Sequence, residues 1–369
     1  MKVECLKDKL RQAIAIADRI TGKNLSLAAL GHVFLEAKDH TVIVRTTNLD
    51  LGIEINLPVK VAKAGVALVN SGVIHNFLNH LATDEVVKLE VVNDNLTIST
   101  EHSASVIKAY PPDDFPTIPR LGQAASFTVP AQNLASGLRA TIYAASLSDI
   151  KPEIASVYFY YDEERRQHVF VATDSFRLAE KRLTGGAAAI EAYKLIIPIK
   201  NAAEILRVFE SSAAEVIIKH SANQAAFESG ELYLTSRLVE GVFPDYRQVV
   251  PSSALSSVVV LKNDLLNALK LSNVFSDKLN QINLRVMAQD NVFEINSQNS
   301  DVGESSTRLE AAIQGEAVDI SFNVKYLLDC LPAVASDSVH LQFNGKTRPI
   351  LVSGVGDPSF SYLIMPLNR

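Results

Sequence analysis

A chain of 369 residues, 47% apolar and 21% charged, carries material for two or three globular cores and excludes a disordered or fibrous class. Its formal net charge of −6 excludes a DNA binder that works through overall positive charge, although it leaves room for a local basic face on an acidic body. Cys5 and Cys330 lie far apart and outside any CxxC, so no disulfide framework is expected and a reducing compartment fits. The N-terminal stretch alternates charged with apolar residues, unlike a signal peptide, and no apolar run reaches the roughly 18–20 residues of a membrane helix. The expectation is a cytoplasmic protein that makes no membrane contact.

In chain order, the first element is a short apolar strand followed by an amphipathic helix with Leu6, Leu10, Ile14 and Ala17 on one face and Lys7, Arg11 and Arg19 elsewhere. A second helix is expected over VNSGVIHNFLNHL, followed by the alternating strands of VKLEVVNDNLTIST. The same order returns twice. FTVPAQNLASGLRATIYAAS places Leu134, Leu138 and Ile142 on one stripe, and VVVLKNDLLNALKLS does so with Leu265, Leu266 and Leu269. IPIKNAAEILRVFE and FNVKYLLDCLPAV repeat the second helix, each before strand-like segments with turn residues.

Between the helices of each copy, TTNLDLGIE (46–54), ATDSFRLAE (172–180) and NSQNSDVGES (296–305) hold equivalent places. DFPTIP (114–119) and VFPDYRQVVP (242–251) each close a copy with Phe-Pro and a later Pro, which cannot supply a ladder N–H in a central strand. The period of about 120–130 residues is that of whole domains. The fold expected is α+β: three tandem domains at 1–121, 122–250 and 251–369, each with two helices and about eight strands packed as sheets against the helix pair.

Four collinear blocks then carry a resemblance. VATDSFRLAE, SRLVEGVFPDYRQVVP, FNVKYLLDCL and YLIMPLNR resemble, in order and spacing, signature segments of the beta sliding clamps of bacterial DNA polymerase III. With the triplication, the likeness spans the whole chain. It implies three clamp domains that form, as a head-to-tail homodimer, a ring with helices inside and sheets outside. The implied partners are encircled double-stranded DNA of any sequence, a second copy of the chain, and the polymerase, clamp loader and repair proteins through linear peptides. The implied role is a non-catalytic processivity factor.

The composition suits that role, because a topological link needs only weak phosphate contacts. Lys7, Arg11, Lys23, Arg139, Lys200, Arg207, Lys262 and Lys270 are the candidate DNA-facing cations, each equally well a solvated helix-face charge. The family's peptide groove maps onto Ile154, Thr173, Ser175, Phe176, Arg177, Leu178, Pro244, Val249, Asn323, Tyr326, Leu363, Ile364, Met365, Pro366 and Leu367. Aliphatic and Met walls with few polar groups suit an anchor-binding groove that serves several partners. Core packing is the competing reading for Ile154, Leu178 and Val249. The subunit contact maps onto strand edges around Ser105 and Ile107 in the first domain and Val274 and Phe275 in the third.

The chain departs from the family pattern at several points. Ser175-Phe176 replaces Gly-His, Gln248 replaces a frequent Arg, Asn24 stands where some members carry Arg, and Pro152-Glu153 replaces an aromatic pair. The end reads Leu-Asn-Arg. Peptide preference is the property these changes touch.

No cofactor or metal is expected. No GxxxxGK[ST] loop occurs, and His75 and His80, five residues apart on a helix, point about 140° away from each other. Asp113 and Asp174 lack the partners of a hydrolytic site. A β-rich scaffold or a hydrolase unrelated to DNA is the alternative. The hydrolase predicts that replacing Asp113 or Asp174 abolishes a turnover.

Overall fold

The structure, a computed structural model, describes residues 1–22, 27–81, 86–122, 124–184, 192–251 and 253–367. The first repeat runs β1 (Lys2–Leu6), α1 (Lys7–Ile20), β2 (His32–Lys38), β3 (Thr41–Thr47), β4 (Leu51–Pro58), β5 (Lys60–Lys63), β6 (Gly65–Asn70), α2 (Ser71–His80), β7 (Val86–Val92), β8 (Asn95–Ser99) and β9 (Ala104–Tyr110). The second runs β10 (Ala125–Pro130), α3 (Ala131–Thr141), β11 (Ser156–Asp162), β12 (Gln167–Thr173), β13 (Arg177–Thr184), β14 (Lys194–Pro198), α4 (Ile199–Phe209), β15 (Glu215–His220), β16 (Gln224–Ser229) and β17 (Leu232–Arg237). The third runs β18 (Ser256–Leu261), α5 (Lys262–Val274), β19 (Gln281–Met287), β20 (Val292–Asn299), β21 (Gly303–Leu309), β22 (Ala311–Gly315), β23 (Val318–Asn323), α6 (Val324–Cys330), β24 (Ser338–Phe343), β25 (Ile350–Gly354) and β26 (Asp357–Ile364). Each repeat thus has two α-helices, and the described strands number nine, eight and nine. No described helix is long and apolar enough to cross a membrane.

Leu134, Leu138, Leu265 and Leu269 are buried as their spacing predicts. Ile142, however, lies past the end of α3 and is half-buried, as is Leu266, and the first helix brings two more corrections. Leu10, Ile14 and Ala17 are buried along α1, but Leu6 ends β1 and is exposed. Lys7, expected on an outer face, is only 4% exposed. Its ammonium donates to the Leu81 carbonyl at the end of α2 at 2.9 Å. Lys262, at the same place in the third repeat, donates to the Val334 carbonyl beyond α6 at 2.9 Å. A cation at a helix C-terminus satisfies an orphan carbonyl and meets the negative end of the dipole, so these two lysines hold their helix pairs together. The second helices also start alike: the Asn70 and Asn323 side chains accept the Val73 and Lys325 amides at 3.1 and 2.9 Å.

The chain gathers into two compact units, Met1–Gln132 with Ala203–Leu238 and Asn133–Ala202 with Val239–Arg369, so the middle repeat is divided between them. Strand pairing explains the division. In the first unit, β17 pairs with β4 inside a 13-stranded sheet, and in the second, β13 pairs with β26 inside a nine-stranded sheet. The second unit also holds a four-stranded sheet in the order β21-β20-β19-β23.

The ladders place the paired strand positions of the three repeats in correspondence. Leu35, Phe159 and Leu284 pair with Val44, Phe170 and Ile295, and these with Ile55, Lys181 and Thr307. It follows that Ile53, Ala179 and Ser305 are equivalent. The hairpins leading to the last strand likewise equate Ser105, Leu234 and Tyr362.

Candidate functional site

The β12–β13 turn, Thr173 to Arg177, is built by its own side chains. The Thr173 hydroxyl donates to the Arg177 carbonyl at 2.6 Å and accepts the Ser175 amide at 3.1 Å. Asp174 Oδ1 accepts the amides of Phe176 and Arg177 at 2.9 and 3.0 Å. Ser175 sits at φ 79°, a left-handed conformation that the Gly of the related signature would adopt freely and that Ser adopts at a small cost. The turn therefore projects Phe176 outward, 61% exposed.

The last strand of the chain completes this wall. Arg177 pairs with Ile364 and Leu178 with Leu363, and the Met365 amide then donates to the Phe176 carbonyl at 2.8 Å. Met365 stays 38% exposed beside Phe176, while Leu363, Ile364 and Pro366 are buried. The Leu367 amide donates to the Ser321 carbonyl at 2.9 Å, which seats the tail along β23.

Arg177 ties the turn to α6. Its guanidinium lies 4.5 Å from the Tyr326 ring centroid, donates to Asp174 at 2.9 Å, and reaches Asp329 at 2.6 Å. Burial opposes its charge, but the surrounding Tyr362, Asp329 and Asp174 oxygens outweigh that penalty and raise its pKa. Asn323, the α6 N-cap, stands two residues beyond Ser321. Asp329 was not expected as a member. It lies 152 residues from Arg177, and no local pattern announces the contact.

Under the wall lies an apolar cluster of Tyr160, Val171, Leu178, Ile196, Phe243 and Leu363. Leu178 and Leu363 thus serve the core as well as the wall. Pro244 follows Phe243, which stacks on Tyr158 at 4.8 Å, and Val249 ends the same segment 54% exposed. Burial pushes the Tyr158 phenol up to about 12, with the neighbouring Tyr160 adding to the shift, so it packs as a neutral ring. Tyr246 donates to Glu180, and Arg247 donates to the Tyr160 hydroxyl at 3.0 Å. Ile154 is buried in the loop before β11, where its carbonyl accepts the Ser146 amide. No described hydrogen bond joins it to the turn.

The candidate DNA-facing cations divide. Lys7 is removed by its burial, and Lys262 is half-buried in the same structural role. Arg139, Lys200, Arg207 and Lys270 are exposed on or beside their helices, and Arg11 is half-exposed. Carboxylates accompany three of them: Asp8 at 3.4 Å from Arg11, Asp149 at 3.6 Å from Lys200, and Glu204 beside Arg207. Lys23 lies outside the described residues.

The edges of β9 and β21 stand open over most of their length. β9 pairs with β8 from Ala104 to Lys108 but meets β6 only at Ala109 and Tyr110, and β21 pairs only with β20. Ser105 and Ile107 lie on β9. Val274 is exposed at the end of α5, and the Phe275 ring lies 3.8 Å from where a Cβ on Gly303, the first residue of β21, would stand. Among the described residues no group of three or more His, Cys, Asp and Glu side chains is placed to hold a metal.

Comparison with known proteins gives one answer along the chain. Models of the DNA polymerase III beta subunit match as its N-terminal domain over residues 1–119, its central domain over 128–245 and its C-terminal domain over 247–368. The beta sliding clamp of Synechococcus elongatus is 28% identical over 375 residues, covering 100% of this chain and 99% of the relative. That of Staphylococcus aureus is 26% identical over 373 residues, covering 98% and 96%. Among solved structures, the DNA polymerase III subunit beta of Pseudomonas aeruginosa superimposes with a TM-score of 0.94 at 22% identity, covering 100% of each chain. The sliding clamp of Bacillus subtilis does so with a TM-score of 0.94 at 22% identity, covering 100% of this chain and 99% of that one.

Proposed function

The chain belongs to the DNA polymerase III beta-subunit family, so its work is that of a sliding clamp, and we propose that two copies close head to tail around duplex DNA through a strand junction that each copy already contains twice. The observation that carries the reading is the register of those two junctions. Leu234 faces Ile53 across β17–β4, and Tyr362 faces Ala179 across β26–β13. These are equivalent pairs. The equivalent strands left without a partner are β9 and β21, and the same register sets Ser105 of one copy opposite Ser305 of the other, and Ile107 opposite Gly303. Phe275, packed at Gly303, then meets the incoming strand. A heterologous contact repeated by rotation closes a ring, and pairing two exposed edges removes an aggregation hazard.

The three domains keep the limits 1–121, 122–250 and 251–369 in this reading. The clamp is a non-catalytic processivity factor of the polymerase. It holds DNA by topology, and weak phosphate contacts from Arg11, Arg139, Lys200, Arg207 and Lys270 suffice for sliding. The wall formed by Thr173, Phe176, Arg177, Leu178, Tyr326 and the Met365–Leu367 tail takes short apolar-anchored peptides of the polymerase, clamp loader and repair proteins. A tethered polymerase then rebinds its primer end at high effective concentration. The setting is the bacterial cytoplasm.

The test is a Ser105→Cys/Ser305→Cys chain. Oxidation should join copies covalently at this register and make clamps loaded on circular DNA resist dissociation until the DNA is cut. Failure to cross-link while Ala104→Cys/Ser305→Cys succeeds would rule out the register, and equal retention on linear and closed DNA would rule out encirclement.

A further inference from the structure

The equivalence of the repeats presents one sheet face in three versions. In the first unit the segment after β9 lies across the face: Phe115 stacks on Phe34 at 5.2 Å, and Arg120 reaches Glu54. In the second unit the segment after β17 does the same: Phe243 stacks on Tyr158 at 4.8 Å, and Tyr246 reaches Glu180. Phe34 and Tyr158 are equivalent, as are Glu54 and Glu180, so an extended segment is seated twice in one way.

In the third repeat the positions of Tyr158, Tyr160, Val169, Val171, Leu178 and Ile196 hold Asn283, Arg285, Glu294, Asn296, Glu304 and Ser321. Here the face is an open cleft of about 1260 Å³, lined among others by Asn283, Gln298, Glu304, Asp319 and Lys346. Its floor is polar at all six positions. That of the second unit is apolar, and that of the first sets Phe34, Ile43, Gly52 and Leu68 around a Glu36–Arg45 ion pair at 2.6 Å. The third face therefore offers no apolar seat for a Phe-Pro segment of the kind this chain uses elsewhere. The carboxylates that line the cleft also outnumber its lysine. Asp277, Glu304 and Asp319 border it against Lys346 alone, while Arg285 and Arg308 on the same face are held by Glu294 at 3.9 and 3.3 Å.

We infer that the outer face of the β21-β20-β19-β23 sheet docks an extended, polar segment of a partner protein that carries lysine or arginine, seated as residues 111–122 and 239–250 are seated on the other two faces. Leu367 borders both this cleft and the Met365 wall, which gives a single partner chain a continuous path from one to the other. Extended backbone over a sheet with alternating side chains engaged is a familiar mode of peptide recognition.

The probe is a fluorescent peptide of about twelve residues alternating Lys with Asn and Ser, matched by one with Glu for Lys, added to the full chain at low ionic strength. The Lys peptide should bind and slow amide exchange in β19, β20 and β21, and the Glu peptide should not. Asp319→Lys, by charge, and Asn283→Trp, by filling the cleft, should each weaken binding at least about tenfold. Asp113→Lys, an equal change of charge outside the cleft, should leave it unaltered. Thermal midpoints establish which variants are folded, and either cleft variant alone decides the matter. Binding that Asp113→Lys weakens as much as Asp319→Lys, binding indifferent to Asn283→Trp, or no binding at all overturns the inference.

Discussion

The β4–β17 and β13–β26 junctions share a register and a turn, yet only one of them leaves an open apolar wall. At the first junction the Thr47 hydroxyl donates to the Leu51 carbonyl at 2.8 Å and accepts the Leu49 amide at 3.0 Å, as Thr173 does at the second. The Arg237 amide donates to Asp50 as the Met365 amide does to Phe176. Even the strained residue recurs, Leu49 at φ 78° and Ser175 at φ 79°. The difference lies in a few side chains. Gly52 stands at the position of Leu178, and a Cβ there would meet Ile118 at 3.1 Å, so Ile118 already fills the space. Arg120 then covers the junction with its guanidinium 4.3 Å from the Tyr233 ring centroid. At the second junction Leu178 supplies a wall, and Phe176 and Met365 replace the Asp50–Arg237 pair with exposed apolar surface. One backbone frame thus yields a sealed joint or a binding wall, according to what fills it.

The buried carboxylate behind each joint offers the harshest way to break this comparison. Glu54 takes Arg45 at 3.3 Å and also Arg120, whereas Glu180 takes Arg182 at 2.5 Å and the Tyr246 hydroxyl. Removing one partner of a fully buried ion pair costs about 3–5 kcal/mol, and the partial exposure of these guanidiniums reduces that. Glu54→Ala and Glu180→Ala should therefore both lower the urea midpoint strongly. Glu180→Ala should cost more, because it takes the carboxylate from both Arg182 and the buried Tyr246 hydroxyl. After Glu54→Ala, by contrast, the Arg45 guanidinium keeps Glu36 at 2.6 Å, and Arg120 is exposed to solvent. The opposite order, or a loss under about 1 kcal/mol for either, would mean that strand pairing alone holds the joints.

A smaller effect separates structure from binding. Thr47→Val and Thr173→Val each remove two local hydrogen bonds and should each destabilise by about 1–2 kcal/mol. Only Thr173→Val should also weaken an apolar clamp-binding peptide, by roughly tenfold, because only that turn carries Phe176 and Arg177 into a wall. Titration of both variants with one fluorescent peptide decides it. Equal weakening by both would place the peptide elsewhere.

Much of this frame is legible in the sequence for a physical reason. Helical stripes such as Leu10, Ile14 and Ala17, and turn segments such as TTNLDLGIE and ATDSFRLAE, are local patterns, and tandem repetition shows each of them again. What escapes is whatever depends on distant pairing. Lys7 has the spacing of a surface cation, and only the position of Leu81, 74 residues away, makes it a helix cap. The Arg177–Asp329 ion pair and the filling of Gly52 by Ile118 likewise need the strand register before they can be read. Of the polar floor of the third sheet, only Asn296 and Glu304 fall within NSQNSDVGES. The strand register is needed to bring Asn283, Arg285, Glu294 and Ser321 beside them.

Acid should divide the two joints most gently. Asp357 opens β26 and faces Lys181, and the residue at the equivalent of Lys181 in the first joint is Ile55, which carries no charge. Burial works to raise the Asp357 pKa, but the Ser359 hydroxyl and amide and the Lys181 ammonium outweigh it and leave the pKa lowered. A carboxylate whose folded pKa is depressed adds stability above its unfolded value, near 4, and loses it as the pH falls through the folded value. Wild type should exceed Asp357→Asn in urea midpoint at neutral pH, and the gap should close below about pH 4. Ile55→Val, in the first unit, should show no such pH-dependent gap. A gap that widened in acid would reverse the sign, and would mean that the protonated Asp357, not its carboxylate, is the form the second joint favours.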